Sequence, residues 1–200
     1  MKPLNLWPIK CGVEVSHLSP STLETLRNQM LDVHAKYSTG PQIWDRVEHN
    51  IFANPTDELS QVCDYALQSV KSLFGQSVGI KSFEGRELVR VNGMEILPHT
   101  DRDEGDLTAQ LFLDGANPHG MSEDQVWVES NKFGNNVFSL CDPSLLGSEK
   151  RLPWEDFYNV WVAPFKGLFV IYPSRLPHYQ RPYVGDGKFV QILINMRLHK

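Results

Sequence analysis

Two residues in the middle of the chain, His99 and Asp101, have the types and the spacing of a pair of metal ligands. Imidazole nitrogens and carboxylate oxygens both bind divalent transition metals. Side chains two residues apart on a β-strand point to the same side, so both can reach one ion. A third donor is available far downstream in His178, just after an apolar stretch. We therefore take these three residues as a candidate metal site.

The pair alone is a weak signal, because a chain with 7 histidines can contain a His-x-Asp match by chance. The alternative interpretation is a strand end with two solvated polar residues. Asp103 is a second candidate carboxylate. We favour Asp101, since Asp103 stands in a charged stretch followed by Gly105 that has the composition of a solvated loop. Two histidines and one carboxylate on one face of a metal form the facial triad of non-haem Fe(II) oxygenases, so the triad, if it forms, indicates that reaction class.

Composition narrows the class of protein. The 200 residues, of which 41% are hydrophobic and 22% charged, are ordinary for one globular domain. A net charge of -5 argues against a general binder of nucleic acid or membrane surfaces. No apolar run has the length of a membrane span, and no signal peptide is recognisable. The cysteines, Cys11, Cys63 and Cys141, are widely spaced without a zinc pattern, so we expect free thiols and a cytoplasmic protein.

The first part of the chain has the marks of two helices. Ser21 and Glu24 have the spacing of a capping box ahead of apolar residues at helical intervals. A stronger helix is predicted from Asn54-Pro55, which offers a cap and a first-turn proline, and Gly75 is its expected end. Its single apolar stripe is expected to pack against a sheet.

After about residue 78 the pattern changes to short runs of period two, which predict β-strands. The predicted strands are 87–91, 95–101, 107–113, 125–129, 136–140, 167–173 and 189–198. Turn residues separate many of them, which is typical of a sandwich or barrel. We therefore expect a single domain that is mainly β with N-terminal helices. Residues 1–77 form a helical lead-in and support, and residues 78–200 form the β core.

Lys188, ten residues after His178, is a candidate for binding an anion. If the last strand is regular, Lys188 lies on the same face as Val190, Ile192 and Ile194. An unpaired lysine on an apolar interior face is costly, and the cost falls if it binds an anion such as a dicarboxylate. The alternative is a lysine whose stem covers apolar surface while its amine stays in water.

Taken in order, three segments resemble the iron- and 2-oxoglutarate-dependent dioxygenases, closest to the prolyl-hydroxylase-like branch. They are the glycine-containing approach to Pro-His-x-Asp, the strand that follows it, and the distal strand that leads to a histidine and then a basic residue. In this chain they occupy residues 92–101, 107–114 and 167–188. The resemblance covers roughly residues 87–198.

The resemblance implies a double-stranded β-helix, the jelly-roll or cupin-like fold, packed against helices. It implies that His99, Asp101 and His178 bind Fe(II) and that Lys188 pairs with the distal carboxylate of 2-oxoglutarate, with Arg181 as the second candidate. The implied activity is that of an oxygenase that converts 2-oxoglutarate to succinate and carbon dioxide, with hydroxylation of the substrate as the expected reaction.

This chain departs from the family pattern in two places. A Gly-Gly-x-Thr-x-Phe stretch has no clear counterpart in residues 127–134, and residues 90–92 stand where a tyrosine often assists 2-oxoglutarate. A cupin-like module that binds a metal or small ligand without turnover is the alternative function. His119 lies in a predicted exposed loop and is not expected to bind metal. The substrate, a small molecule or a protein side chain, and the oligomeric state stay open.

Overall fold

The computed structural model of the chain describes residues 2–6, 9–38, 49–115, 137–141 and 159–199. Within these ranges the chain forms two helices and ten strands. The helices are α1 (Pro20–Tyr37) and α2 (Asp57–Phe74). The strands are β1 (Lys2–Leu6), β2 (Ile9–Val15), β3 (Ile80–Arg90), β4 (Ile96–His99), β5 (Leu107–Phe112), β6 (Phe138–Cys141), β7 (Asn159–Val162), β8 (Leu168–Pro173), β9 (His178–Gln180) and β10 (Phe189–Leu198).

The strands form two antiparallel sheets. The large sheet has the order β1-β2-β8-β5-β10-β3, and the small sheet has the order β4-β9-β6-β7. Aromatic residues from both sheets meet between them: the ring centroids of Phe112 on β5 and Phe138 on β6 are 6.3 Å apart. The inward faces of the two sheets therefore share one buried core, which also contains Tyr172 and Phe189.

The helices cover the outer face of the large sheet. Leu26 and Val70, one from each helix, belong to a buried apolar cluster with Ala109, Ile171 and Ile192 from the central strands. Burial of this shared apolar surface is what stabilises the helices, since helix propensity alone is weak. Neither helix in the described part of the chain is long and apolar enough to cross a membrane.

Both helices begin close to their predicted starts, but with different caps. The Ser19 hydroxyl accepts a hydrogen bond from the Thr22 amide, so α1 begins earlier than the Ser21 capping box predicts. Thr56, rather than Asn54, caps α2. The predicted end of α2 is confirmed: Gly75 has a φ of 113°, a backbone conformation that glycine adopts without strain.

Alternation along β10 separates the two faces of the large sheet. Ile192 and Ile194 lie in the cluster beneath the helices. Phe189 and Leu193 point the other way, toward the small sheet. Both faces of β10 are therefore buried, one under helices and one under a second sheet.

The N-terminal region differs from the expected helical lead-in, because it also contains strands β1 and β2. They extend the large sheet: β2 pairs with β8 through four residue pairs, from Gly12↔Ile171 to Val15↔Leu168, and β1 pairs with β2. The pairing of β2 with β8 is long-range, so local sequence gives little sign of it, whereas β1 and β2 form a local hairpin from Lys2↔Val13 to Leu6↔Ile9. Strands β7 and β9 are also additions, too short for a period-two pattern. The predicted strand 125–129 lies outside the described residues.

Gly85 on β3 provides a test of the packing between the sheet and the segment before α2. Its amide donates to the Asn50 side chain and its carbonyl accepts from Ile51, both at 3.0 Å. A Cβ at this position would stand 2.6 Å from the Phe52 ring and would also collide with the Leu193 carbonyl oxygen. Glycine inside a strand often marks such a close approach.

We expect Gly85→Ala to lower the free energy of unfolding by about 1–3 kcal/mol or more, because the collision involves backbone. This corresponds to a loss of roughly 2–4 °C in Tm per kcal/mol in a thermal melt. Gly79→Ala is the matched control, since the Cβ added there meets only the side chain of exposed His199 at 3.0 Å. Equal melting temperatures for the two variants would contradict this account of Gly85.

Candidate metal centre

Two of the predicted ligands are brought together by one strand pair. His99 is the last residue of β4, His178 is the first residue of β9, and the antiparallel register places the two directly opposite each other. Their ring centroids are 4.3 Å apart. Residues that face each other in an antiparallel pair are close enough for their side chains to share a partner.

Asp101 joins the two histidines from a turn rather than from the strand. It lies two residues beyond the end of β4, where its amide donates to the Ser174 carbonyl and its carbonyl accepts from the Glu104 amide, both at 2.8 Å. Its Oδ1 is 3.4 Å from His99 Nε2, and its Oδ2 is 3.3 Å from His178 Nε2. The predicted cluster forms, but hydrogen bonds to the segment after β8 position Asp101, and strand alternation does not.

The hydrogen bonds of the two imidazoles leave the same nitrogen available on each ring. His99 Nδ1 lies 2.8 Å from the Leu97 carbonyl oxygen, and His178 Nδ1 lies 3.0 Å from that of Leu176. A carbonyl only accepts, so each Nδ1 carries the proton and donates. With the proton on Nδ1, each Nε2 faces Asp101 and is the nitrogen that could bind a metal.

Burial and the contacts among the three side chains together set their protonation states. His178 is 1% exposed, and burial lowers its pKa to about 4 despite the nearby Asp101. His178 is therefore neutral at neutral pH. Burial alone would raise the pKa of Asp101, but its contacts with His99 and His178 outweigh burial and hold the pKa below its usual range. The contact with Asp101 likewise outweighs burial at His99 and raises the pKa of that imidazole. The site thus offers a carboxylate and a neutral imidazole.

The donor set fits a divalent cation. Asp101 is 3% exposed, and its Oδ2 is buried without a hydrogen bond. A buried carboxylate oxygen in this state is costly unless a cation binds it. One atom from each of His99, Asp101 and His178 lies within 4.8 Å of the others, and no other such group occurs among the described residues. The rival carboxylate, Asp103, has a side chain that is 90% exposed.

A buried polar cluster supports Asp101 from behind. The Thr108 hydroxyl lies beside the carboxylate and contributes to its lowered pKa. It also shares a 2.8 Å hydrogen bond with the Ser174 hydroxyl and donates to the Asn195 side chain at 3.1 Å. Asn195 in turn donates to Glu104 at 2.6 Å. This cluster could not be predicted from the sequence, because inward-facing polar residues on a strand have no distinctive spacing.

A cavity opens directly beside the two histidines, between the large and the small sheet. The polar residues in its lining are Arg86 on β3, Gln110 on β5 and Gln180 on β9. Leu88 and Ile96 form part of its apolar wall. The cavity therefore combines the candidate metal ligands with one permanent cation and two amides.

The structure does not bring Lys188 to this cavity. Lys188 is exposed and precedes β10, and Val190 and Ile192, which share its face, pack beneath the helices. Burial and then the charge of Lys188 lower the pKa of His34 on α1, which puts the lysine on the helix side of the sheet. Its predicted role as the 2-oxoglutarate anchor thus has no geometric support and stays a prediction.

Arg181, the second candidate anchor, also lies outside the lining of the cavity. Its guanidinium carbon is 5.1 Å from the centre of the Trp161 ring, a cation–π contact with β7. His119 lies outside the described residues. The three predicted metal ligands thus come together, and the two predicted anchors do not join them.

Solved structures with similar folds include a prolyl-4-hydroxylase from Pseudomonas putida, with a TM-score of 0.65 and 16% identity over 98% of this chain and 96% of that one. The chain has the prolyl-hydroxylase fold. The predicted double-stranded β-helix is thereby confirmed. A prolyl hydroxylase from Trichoplax adhaerens, solved with a peptide fragment of hypoxia inducible factor, matches at a TM-score of 0.61 and 14% identity over 93% and 82%.

A third structure with the prolyl-hydroxylase fold is HygX from Streptomyces hygroscopicus, solved with nickel and 2-oxoglutarate bound. Its TM-score is 0.60 and its identity 12%, over 92% of this chain and 81% of that one. No protein-family model matches the chain, and no curated protein matches it in sequence. At these identities the similarity establishes the prolyl-hydroxylase fold, and the chemistry must be argued from the residues of the site.

Removing a ligand tests the metal centre directly. We expect His178→Ala and Asp101→Asn each to weaken binding of Fe(II) or Ni(II) more than about 100-fold, beyond the loss typical of supporting residues. Anaerobic isothermal titration calorimetry measures the affinity. His199→Ala is the control, since His199 is exposed, pairs through its amide with Gly79 and is not part of the cluster. Unchanged metal affinity in His178→Ala would show that this cluster is not the metal site.

Replacing Thr108 tests the support behind Asp101. Thr108→Val keeps the shape of the side chain but removes the hydroxyl beside the carboxylate. We expect roughly 10- to 100-fold weaker metal affinity, as for other residues that orient a ligand. Thr108→Ser keeps the hydroxyl and is expected to bind metal nearly as well as the unaltered protein. If Ser and Val weaken binding equally, the hydroxyl does not position Asp101.

Proposed function

We propose that this protein is a non-haem Fe(II)- and 2-oxoglutarate-dependent oxygenase. One observation carries the proposal: His99, Asp101 and His178 bring two imidazoles and one carboxylate together beside a cavity of the prolyl-hydroxylase fold. The structure of HygX, which has this fold, holds nickel and 2-oxoglutarate and supports the choice of co-substrate. The fold alone would not, because one fold serves many functions.

The residues of the site have distinct roles in this proposal. His99 Nε2, His178 Nε2 and one oxygen of Asp101 would hold Fe(II), and the cavity beside them would take the co-substrate. When bound, iron and 2-oxoglutarate supply the oxidising chemistry, with succinate and carbon dioxide as the co-products. The protein would supply the positions of the ligands and the cavity beside them.

The ligands are held in place before any metal binds. The carbonyl groups of Leu97 and Leu176 fix the ring orientation of both histidines. The amide of Asp101 is tied to Ser174. Such preorganisation keeps the reorganisation needed on metal binding small and favours one geometry of the bound ion.

The substrate class is left as a small molecule or a protein side chain. The net charge of -5 supports neither nucleic acid nor an anionic membrane surface as a partner. We also propose a cytoplasmic location. Cys11, Cys63 and Cys141 are free, and burial raises the pKa of each, so these thiols suit a reducing compartment.

Turnover of the co-substrate tests the proposal without knowledge of the substrate. We expect the Fe(II)-loaded protein to convert 2-oxoglutarate slowly to succinate in air, because such oxygenases consume some co-substrate without substrate. Succinate is measured by mass spectrometry. His99→Ala is expected to reduce succinate formation to the level of Fe(II) alone, and His199→Ala to leave it unchanged.

Two results would contradict the proposal in different ways. Absence of both Fe(II) binding and 2-oxoglutarate binding under anaerobic conditions would remove its chemical basis. Tight binding of both without any succinate would instead favour the alternative, a cupin-like module that holds a metal and a small ligand without turnover.

A further inference from the structure

A buried asparagine on the last strand lies next to the candidate metal centre without being one of its ligands. Asn195 is 4% exposed and stands directly opposite Thr108 in the pairing of β10 with β5. Leu193, two residues earlier on the same inward face, lines the cavity beside the two histidines. Asn195 is thus the next inward residue of β10 beyond the cavity wall, where a buried amide is costly unless it is hydrogen-bonded.

The Asn195 amide is hydrogen-bonded at both of its ends. Its nitrogen donates to the Glu104 carboxylate at 2.6 Å, and its oxygen accepts from the Thr108 hydroxyl at 3.1 Å. A carboxylate only accepts, so Glu104 determines which way the amide is turned. Among side chains of this size, only asparagine gives a donor to one neighbour and an acceptor to the other. Aspartate would lack the donor, and leucine would lack both.

These contacts close a ring that begins and ends at Asp101. On the main-chain side, the Glu104 amide donates to the Asp101 carbonyl at 2.8 Å. On the side-chain side, the Thr108 hydroxyl lies beside the Asp101 carboxylate. Asn195 joins the two sides, because it is bonded to both Glu104 and Thr108. The ring therefore connects the backbone of Asp101 to its own carboxylate through β10.

The turn that carries Asp101 has other anchors, so its backbone does not depend on this ring. The Asp106 amide donates to the Met196 carbonyl at 2.8 Å, and the Asp106 carboxylate accepts from the Leu198 amide at 2.9 Å. Ser174 accepts from the Asp101 amide and donates to the Asp106 carbonyl, at 2.8 and 3.1 Å. These bonds fix the path of the chain, but the side-chain torsions of Asp101 need contacts of their own.

We propose that Asn195 is a positioning residue for the candidate metal centre, which fixes the Thr108 hydroxyl relative to the turn of Asp101 and so keeps the carboxylate facing the two histidines. The inference rests on the proposed function, since it takes His99, Asp101 and His178 as the metal ligands. Thr108 is β-branched, so its rotamer decides whether an oxygen or a methyl group meets the carboxylate. The hydrogen bond to Asn195 selects the rotamer with the oxygen there.

Replacing the amide tests this role. Asn195→Leu keeps the approximate size of the side chain and removes both hydrogen bonds. With Co(II) as the probe metal, we expect the affinity measured by calorimetry to fall roughly 10-fold, the lower end of the loss typical of residues that orient a metal ligand. We also expect the visible absorption bands of bound Co(II) to change, because they report the arrangement of the ligand atoms. A loss of stability alone would leave those bands in place.

Gln191→Met is the matched control for the loss of a buried amide. Gln191 is also buried on the inward face of β10, and its side-chain nitrogen donates to Gln110 at 3.1 Å. It is not a member of the ring around Asp101. We expect Gln191→Met to lower Tm in a thermal melt about as much as Asn195→Leu does, and to leave the Co(II) affinity and spectrum unchanged.

Variants of Glu104 test whether Asn195 acts as part of the ring. Glu104→Met and Glu104→Gln remove the same charge, but only glutamine keeps an oxygen that can accept from Asn195. We expect Glu104→Met to weaken Co(II) binding roughly 10-fold and Glu104→Gln to retain most of the affinity. The double variant with Asn195→Leu and Glu104→Met is expected to bind no more weakly than Asn195→Leu alone, because residues of one network are not additive. Glu104 is half-buried, so Glu104→Met also breaks the ring where Asn195→Leu fails to fold.

Four outcomes would overturn the role of Asn195. They are unchanged Co(II) affinity in Asn195→Leu, the same loss of affinity in Gln191→Met, equal affinities of Glu104→Met and Glu104→Gln, or fully additive losses in the double variant. Each is measured against an unaltered protein that binds Co(II). If the unaltered protein binds no Co(II), or if His178→Ala binds it equally well, the metal centre and the proposed function fail, which is a different result.

Discussion

The pairing of β4 with β9 is the contact on which the site depends. It is a short antiparallel ladder in the small sheet, and its register sets His99 against His178. The side-chain period of a strand is two, so a slip by one residue would turn one imidazole away from the other. The register changes between Ile96 and His99, so the ladder is irregular just before the first ligand. Hydrogen bonds outside the ladder must therefore secure this end.

Two hydrogen bonds outside the ladder connect Asp101 to the large sheet. Asp101 donates from its backbone to Ser174, and Ser174 shares a hydrogen bond with Thr108 on β5. The large sheet thereby holds the carboxylate, while the small sheet holds both imidazoles. The three candidate ligands are thus held from both sheets, so an ion bound by all three would tie the sheets together. Metal affinity and the stability of the sandwich are thus coupled in this fold.

The central strands and the candidate ligand set could be predicted from the sequence. Which face of β10 points into the sandwich could not. The predicted bounds of β10, 189–198, agree with the structure. The alternation that groups Lys188 with Val190 and Ile192 is also correct. Which face is the interior of the barrel cannot be told from alternation, since helices bury one face of β10 and the small sheet buries the other. Lys188, near His34 on the helix side of the sheet, therefore stays a predicted anchor without support from the cavity.

The inward face of the large sheet is polar near the candidate metal ligands and apolar at its other end. Near the metal ligands this face presents Thr108, Gln110 and Asn195, each buried and hydrogen-bonded. At the other end it presents Phe112 and Phe189, which pack on aromatic neighbours. Polar residues here add little to stability, because each hydrogen bond mainly offsets desolvation. The stability of the fold must come instead from the apolar core beneath the helices. The interior of the sandwich can then carry the polar residues of the candidate site.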